Sequence, residues 1–498
     1  MLLKGTQPSS KGTALVIAIL AIVLGIGMGL VINYVNNPAY ILVGLVSLIG
    51  FVATIVSVEF GLLMLVFITY TRFSDIAVHT YNAPSVTKSF IVILLLGVFI
   101  RWIVTHEKPR GLLLPTVLVA AYGLVGFTSL LFAPNQDAVV TSLSNYVKDA
   151  LIALVVVALL KKPQQFRHVI YTLLIIGIFI GMISVHQYVT GNFENEYGGF
   201  AEAEYMQIVV GESDDYRLSG PVGDPNFFAQ VMVVLALLGM ERLLHEKRLF
   251  WKIMAGWATV VSTLTVVFTF SRGSTIALVL AFLVFFWINK LKPAQLIVIL
   301  TVGIALLLFA PPSYYQRLLS LGDILPSGNG GQLNIRQDRA VQGRASESLT
   351  AWVMVMDRPL TGVGLSNFSY LYQDYGKSLG LAPSARNRSP HNLYLEVAAE
   401  TGVIGLGVFL TMIALAMRSI LTARRRFIDA GMEDYANMAT GYAIAFTGYL
   451  LAAVFVHAAY PRYFYLLIGI AFALPNLFID PEEESLEIQA QSQLYDRI

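Results

Sequence analysis

The stretch WKIMAGWATVVSTLTVVFTFSRGSTIALVLAFLVFFWIN (251–289) decides the fold, because it holds two apolar runs joined by a short connection around Arg272. Each run approaches the roughly 20 residues that a helix needs to cross about 30 Å of hydrocarbon. Such runs recur along the 498 residues, of which 56% are hydrophobic and 13% charged. Soluble domains average about 25% charged residues. The sequence therefore predicts an all-α polytopic membrane protein.

Apolar windows predict about 12–14 spanning helices, of which the third is short enough to be a half-span. Since Lys and Arg concentrate in alternate short connections, we expect both termini on the cytoplasmic side. The first run is too long for a signal-peptide core and is predicted to be a retained span. The expected helices lie near 13–34, 40–57, 59–71, 88–105, 113–132, 146–161, 168–190, 226–244, 251–270, 274–289, 294–310, 392–420, 437–457 and 462–478.

These helices divide the chain into six predicted segments. They are N-terminal transmembrane helices (1–190), an acidic periplasmic loop (191–225), central transmembrane helices (226–310), a large periplasmic loop (311–391), C-terminal transmembrane helices (392–478) and a cytoplasmic tail (479–498).

The large loop contains a predicted amphipathic helix over 343–356. Leu349, Trp352, Val353 and Met356 recur at the spacing of one helical face. We expect this helix to lie on the outer membrane surface or to pack over the spans.

Arg272 starts the second run of the opening stretch, where charge is costly and usually functional. Its planar fork of donors suits a phosphate or pyrophosphate. The alternative is an arginine that reaches back to lipid headgroups.

Arg217 is the only basic residue between 191 and 225, and Asn226 follows it at the start of the next helix. A helix N-terminus offers unpaired N–H groups to an anion. An ordinary loop salt bridge remains the alternative for Arg217. The acidic residues around it are either solvated or ligands for a hard cation such as Ca²⁺.

The stretch SPHNLYLEVAAETGVIGLG (389–407) places His391 just before an apolar run that contains Glu396 and Glu400. Histidine titrates near neutral pH, so a neutral imidazole there can accept a proton. Alternatively, His391 bonds only to its own loop, and each glutamate caps a buried polar contact.

Several classes of chemistry are not expected. The chain has no cysteine, which excludes disulfides and thiolate metal sites. Its net charge of +2 gives no reason to expect nucleic-acid binding. No phosphate-binding loop with a lysine and no zincin spacing occurs, so we expect neither a metal nor a cofactor.

Four stretches resemble the O-antigen ligase and O-antigen polymerase superfamily when they are taken together in this order. They are RLSGPVGDPNFFAQ, SRGSTIAL, GRASESLTAWVMVMDRPLTGVGLSNF and the His391 stretch, and the resemblance covers roughly residues 210–460. Members of that superfamily are bacterial, lipid-carrier-dependent membrane glycosyltransferases of the GT-C type. The resemblance implies a multi-pass protein of the bacterial inner membrane with its active site facing the periplasm.

The resemblance also implies substrates and residue roles. The donor would be a glycan on undecaprenyl pyrophosphate, and the acceptor lipid A-core or another glycan. Arg217, Arg272 and His391 match functional family residues. The arginines would stabilise the departing pyrophosphate, and His391 would deprotonate the attacking hydroxyl. Arg344 matches a further family arginine.

We include Arg344, Asn226, Asn392, Glu396 and Glu400 as candidate substrate-binding residues beside those three. Pro390 stands where some family members have a polar residue, so the ligase reaction is less firmly implied than the superfamily. A polymerase with the same chemistry and a pilin oligosaccharyltransferase stay open. A secondary transporter of the bicarbonate type is the alternative from another class.

Overall fold

The computed structural model describes residues 57–105, 110–206, 215–290, 339–381, 388–457 and 461–478. Helices dominate these ranges, and eight are long and apolar enough to cross a membrane. A ninth is formed if the bent pair at 59–79 is one span. The predicted all-α polytopic membrane fold is confirmed. The expected helices at 13–34 and 294–310, and nearly all of 40–57, lie outside the described residues.

The described helices are numbered here in chain order. They are α1 (Val58–Thr71), α2 (Phe73–His79), α3 (Val86–Thr105), α4 (Leu113–Thr128), α5 (Gln136–Leu159), α6 (Pro163–Thr190), α7 (Pro225–His245), α8 (Leu249–Phe268), α9 (Arg272–Asn289), α10 (Arg339–Asp357), α11 (Phe368–Ser378), α12 (Leu393–Asp429), α13 (Glu433–Ala452) and α14 (Pro461–Ala473). Short 3₁₀ turns occupy Ser129–Leu131, Tyr197–Gly199, Ala453–Phe455 and Leu474–Leu477.

Helix α7 forms the centre of the bundle. It packs against α6, α8, α9 and α13. All residues from Val231 to Met240 are apolar and buried. A helix that is apolar on every face is expected in the interior, whereas α4, α8 and α9 each expose large apolar side chains on one side. The outer helices therefore carry the lipid-facing surface.

Helix α5 begins at Gln136, ten residues before the expected start of 146. Its first turns carry Ser142, Asn145 and Lys148. These polar residues lower the mean hydropathy of the segment, so apolar windows did not include it. Asn135 caps the helix, since its side chain accepts from the N–H of Ala138.

Two strands lie in the predicted acidic loop, where no strand was expected. Strand β1 (Glu202–Met206) pairs antiparallel with β2 (Asp215–Gly220). Glu204 stands opposite Arg217 in this pairing. The hairpin packs on the start of α7 and thereby places Arg217 at one end of the bundle, which we call the site end.

Helix α12 is broken at Gly402, which has a φ of 65° and a ψ of −171°. The chain just after α10 packs into this break. Val363 N–H donates to Ala399 O at 2.9 Å, and Val403 N–H donates to Pro359 O at 2.8 Å. A break inside an apolar helix leaves backbone groups without partners, and this loop satisfies them.

The amphipathic helix predicted over 343–356 is confirmed as part of α10, but its packing differs from the expected face. Ala351, Met354 and Val355 pack inward on the loop after α10 and on α12. Leu349 and Trp352 on the predicted apolar face are exposed. Helix α10 is apolar on two sides, so periodicity alone did not identify the side that packs.

Candidate functional site

Arg217 is held by backbone and amide oxygens at the site end. Its Nε donates to Thr269 O at 2.9 Å, and its Nη2 donates to Asn226 Oδ1 at 3.1 Å. Glu204 approaches Nη1 only at 3.7 Å. Burial lowers the pKa of Arg217 to about 10, and the positive charges of Arg344 and Arg272 act in the same direction. The side chain is therefore a buried cation that neighbouring acids only partly balance.

Asn226 lies at the buried N-terminus of α7, as the sequence predicted. Asp224 caps this terminus, because its Oδ1 accepts from the N–H groups of Asn226 and Phe227 at 2.8 and 2.9 Å. The Asn226 amide orients Arg217, and Asn226 O accepts from Ser274 Oγ at 3.4 Å. The structure thus joins the starts of α7 and α9 through this residue.

Arg272 is the first residue of α9 and is buried. The tight connection before it is possible because Phe270 adopts a left-handed conformation with a φ of 54°, which is rare for a large side chain. Gly273 lies against the Phe455 side chain, so that any Cβ at 273 would be only 2.4 Å from it. This close packing fixes the start of α9 beside the chain that follows α13.

Arg344 and Glu347 lie three residues apart on α10 and share one face of the helix. Arg344 is close enough for its charge to act on Arg217. Glu347 is 2% exposed and was not among the predicted site residues. Helix α10 therefore brings one cation and one buried carboxylate to the site end.

His391 bonds to this buried carboxylate. Its Nδ1 lies 2.7 Å from Glu347 Oε2, and Arg388 Nη1 donates to Glu347 Oε1 at 3.1 Å. A carboxylate only accepts hydrogen bonds, so Nδ1 carries the proton and Nε2 of a neutral ring is left as the proton acceptor. The His391 side chain is 31% exposed, and a substrate can therefore reach it.

A second histidine stands beside the first. The ring centroid of His457 is 5.7 Å from that of His391 and 5.4 Å from that of Phe227, with the rings edge-on in both pairs. Burial and His391 lower the pKa of His457, whereas Asp224 and Glu347 oppose this change. His457 therefore remains neutral near neutral pH.

The other predicted residues on α12 bond within the protein. Asn392 caps the helix by accepting from Leu395 N–H at 3.0 Å. Glu396 lies partly buried in the first turn. Glu400 accepts from Ser366 N–H at 2.8 Å and from Phe368 N–H at 3.3 Å. Glu400 thus holds the loop that fills the break in α12, which agrees with the alternative of a capped polar contact.

The arrangement combines a dense group of cations with a proton acceptor. Arg217, Arg272 and Arg344 lie together at the site end, next to the His391–Glu347 pair. Buried guanidinium groups bind anions strongly, since neighbouring water does not screen them. No cluster of three or more potential metal ligands occurs among the residues that the structure describes.

Two of these site residues, Glu347 and His457, were missed by sequence reasoning. Glu347 gave a usable signal, because it lies one turn after Arg344 on the same face of a predicted amphipathic helix. His457 also lies at the end of a predicted apolar run, but it falls in none of the four stretches that carry the family resemblance. Only folding brings α13, α10 and α12 to the same place.

Part of the chain is similar to a known protein family. Residues 257–410 match a family model described as O-Antigen ligase. No curated protein matches the chain. The matched region contains Arg272, Arg344, Glu347 and His391, whereas Arg217 lies before it. Over this part, about a third of its length, the chain is similar to the O-antigen ligase family.

Proposed function

We propose that the protein is an O-antigen ligase-type glycosyltransferase. It moves a glycan from undecaprenyl pyrophosphate to lipid A-core at the periplasmic face of the bacterial inner membrane. The observation that carries this proposal is the juxtaposition of three arginines with a histidine whose Nδ1 is held by a buried carboxylate.

The arginines match the leaving group of this reaction. When the bond from sugar to carrier breaks, negative charge grows on the pyrophosphate. Arg217 and Arg272 are held in place before the substrate arrives, so they stabilise that charge with little reorganisation. Arg344 adds a third positive charge from α10. A lipid carrier would enter from the membrane, since these groups lie at the end of apolar helices.

His391 matches the attacking group. With Nδ1 bonded to Glu347, its Nε2 accepts the proton of the acceptor hydroxyl as that oxygen attacks the anomeric carbon. The carboxylate then stabilises the imidazolium that forms. General-base assistance of this kind contributes about 10²–10⁴-fold to a rate. A single displacement inverts the sugar and needs no covalent enzyme intermediate.

A polymerase that joins carrier-linked repeat units would use the same groups with another acceptor, and it remains the alternative. The composition of the central helix α7 argues against a transporter. Between Gln230 and Glu241, α7 carries only apolar and glycine residues, all of them buried. The polar side chains of α7 therefore lie near its two ends, Asn226 and Gln230 at the start and Glu241 and Arg242 near the other end, and form no polar path along it.

The test is a lipopolysaccharide gel of a strain that lacks the gene, complemented with wild type, Arg272→Ala or His391→Ala. Bare core with polymer left on its carrier in the deletion strain indicates a ligase, and core with one repeat unit indicates a polymerase. Neither variant should restore the wild-type pattern. Arg418→Ala, an exposed arginine far along α12, should restore it.

Normal ladders with both site variants, at wild-type protein amounts, would refute the proposed mechanism. An unchanged ladder in the deletion strain itself would refute transfer to this acceptor. In that case pilin glycosylation would be examined next.

A further inference from the structure

His457 is a polar side chain that the proposed transfer does not yet use. It follows the short turn Ala453–Phe455 at the end of α13 and is partly buried. Its ring makes edge-on contacts with two others, those of Phe227 from α7 and of His391. These contacts fix the plane of the ring beside the proposed base.

Ring packing alone does not account for a histidine at this position. A phenylalanine would make the same edge-on contacts, and it would do so without placing two nitrogens in a partly buried site. Within the described part of the chain, neither ring nitrogen of His457 makes a hydrogen bond. The side chain is only partly buried, so a bound molecule can reach these nitrogens and supply a hydrogen-bond partner.

The charge around His457 favours a neutral ligand group. The ionisable groups that act on it are His391, Asp224 from the start of α7 and Glu347 from α10. Burial and the neighbouring His391 disfavour the charged form of His457. A neutral imidazole offers one N–H donor and one acceptor nitrogen. This pair of functions suits a sugar hydroxyl, which both donates and accepts.

We propose that His457 binds a hydroxyl group of the acceptor sugar, next to the hydroxyl that His391 deprotonates. This inference rests on the proposed transferase function. With ring centroids 5.7 Å apart, neighbouring hydroxyls of one sugar can contact both imidazoles. The donor pyrophosphate is assigned to the arginines, so the position beside the base belongs to the acceptor.

The experiment uses the full chain, purified and reconstituted in liposomes. Its donor is the carrier pyrophosphate-linked glycan, and its acceptor is lipid A-core. Initial rates are measured at varied concentrations of each substrate for wild type, His457→Phe and His457→Asn. His457→Phe keeps the ring shape but cannot bond to a hydroxyl, whereas His457→Asn keeps a donor and an acceptor.

We expect His457→Phe to raise the acceptor KM about tenfold, the effect of losing one hydrogen bond. Its donor KM and the pH profile of kcat should stay unchanged. His457→Asn should recover part of the acceptor affinity, which a purely structural role would not produce. His79→Phe, an exposed histidine at the end of α2, should behave as wild type.

A wild-type acceptor KM in His457→Phe would overturn this inference alone. A lower kcat whose pH profile is shifted on the acid side, with an unchanged acceptor KM, would also overturn it. That result would make His457 a proton-transfer group. If His457→Phe does not fold, equal acceptor KM values in His457→Asn and His457→Ala would overturn it. Absence of any transfer by the wild type would overturn this inference and the proposed function together.

Discussion

Replacing Glu347 with glutamine tests whether the buried carboxylate supports His391 during transfer. The change keeps the size of the side chain and removes its negative charge. Glu347 Oε2 lies 2.7 Å from His391 Nδ1, so the two charge centres are about 4 Å apart when the imidazole is protonated. An amide can also turn its NH₂ toward the ring and favour the wrong tautomer.

The size of the effect follows from this geometry. Opposite charges about 4 Å apart attract by roughly 4 kcal/mol at an effective dielectric constant of 20. Since 31% of the His391 side chain is exposed, we halve this value for screening by solvent, to about 2 kcal/mol. At about 1.4 kcal/mol per tenfold change in rate, kcat should fall roughly 30-fold.

The assay is turnover of the reconstituted protein at saturating donor and acceptor, together with its melting temperature in detergent. Both KM values should stay within about twofold of wild type, because Glu347 acts on the ring rather than on the substrate. Glu433→Gln, an exposed carboxylate at the start of α13, is the control. A Glu347→Gln variant that folds normally and keeps kcat within threefold of wild type would refute this reasoning.

Three further predictions concern the cation site and the break in α12. Arg217→Met removes a buried cation with two oxygen partners, and turnover at saturating donor should fall on the order of 10²–10³-fold; a smaller loss than tenfold would contradict this. Gly402→Ala forces a Cβ to within 2.2 Å of Leu360 O at a φ of 65°, so stability in a detergent melt should drop by about 3 kcal/mol. Gly407→Ala, which meets no atom within 4 Å, should melt near wild type. Glu400→Gln replaces one of two acceptor oxygens and should cost about 1–3 kcal/mol of stability. Turnover per folded molecule should stay nearly normal. Lost turnover at a normal melting temperature would instead assign Glu400 to substrate binding.

The helices could be predicted from sequence because hydrocarbon leaves few alternatives. Within a bilayer every backbone group must be bonded inside the protein, so a long apolar run is a helix. The prediction was weakest where polar residues enter a helix, as at the start of α5, and where a strand pair replaced an expected loop. Polar residues lower the hydropathy of a helix start below the level that an apolar window selects, and a hydropathy window does not distinguish a strand pair from a loop.

The candidate site was predictable only in part. Arg272 and His391 stood out because charged or titratable side chains at the ends of apolar runs are costly. Arg217 stood out as the only basic residue between 191 and 225. The choice of partner was not predictable, since Glu396 and Glu400 are near His391 in sequence while its carboxylate partner, Glu347, is 44 residues away. Glu400 instead holds a loop whose position depends on the break at Gly402.

The sequence by itself determined a membrane-spanning helical protein with cations and a histidine at the ends of its helices, because hydrophobicity and charge are local properties. The tertiary structure alone decided which groups meet. Helix α10 brings Glu347 to His391, and the β1–β2 hairpin brings Arg217 to Asn226. The end of α13 brings His457 beside His391 and Phe227. These contacts join distant parts of the chain, and packing in three dimensions selects them rather than any spacing along the sequence.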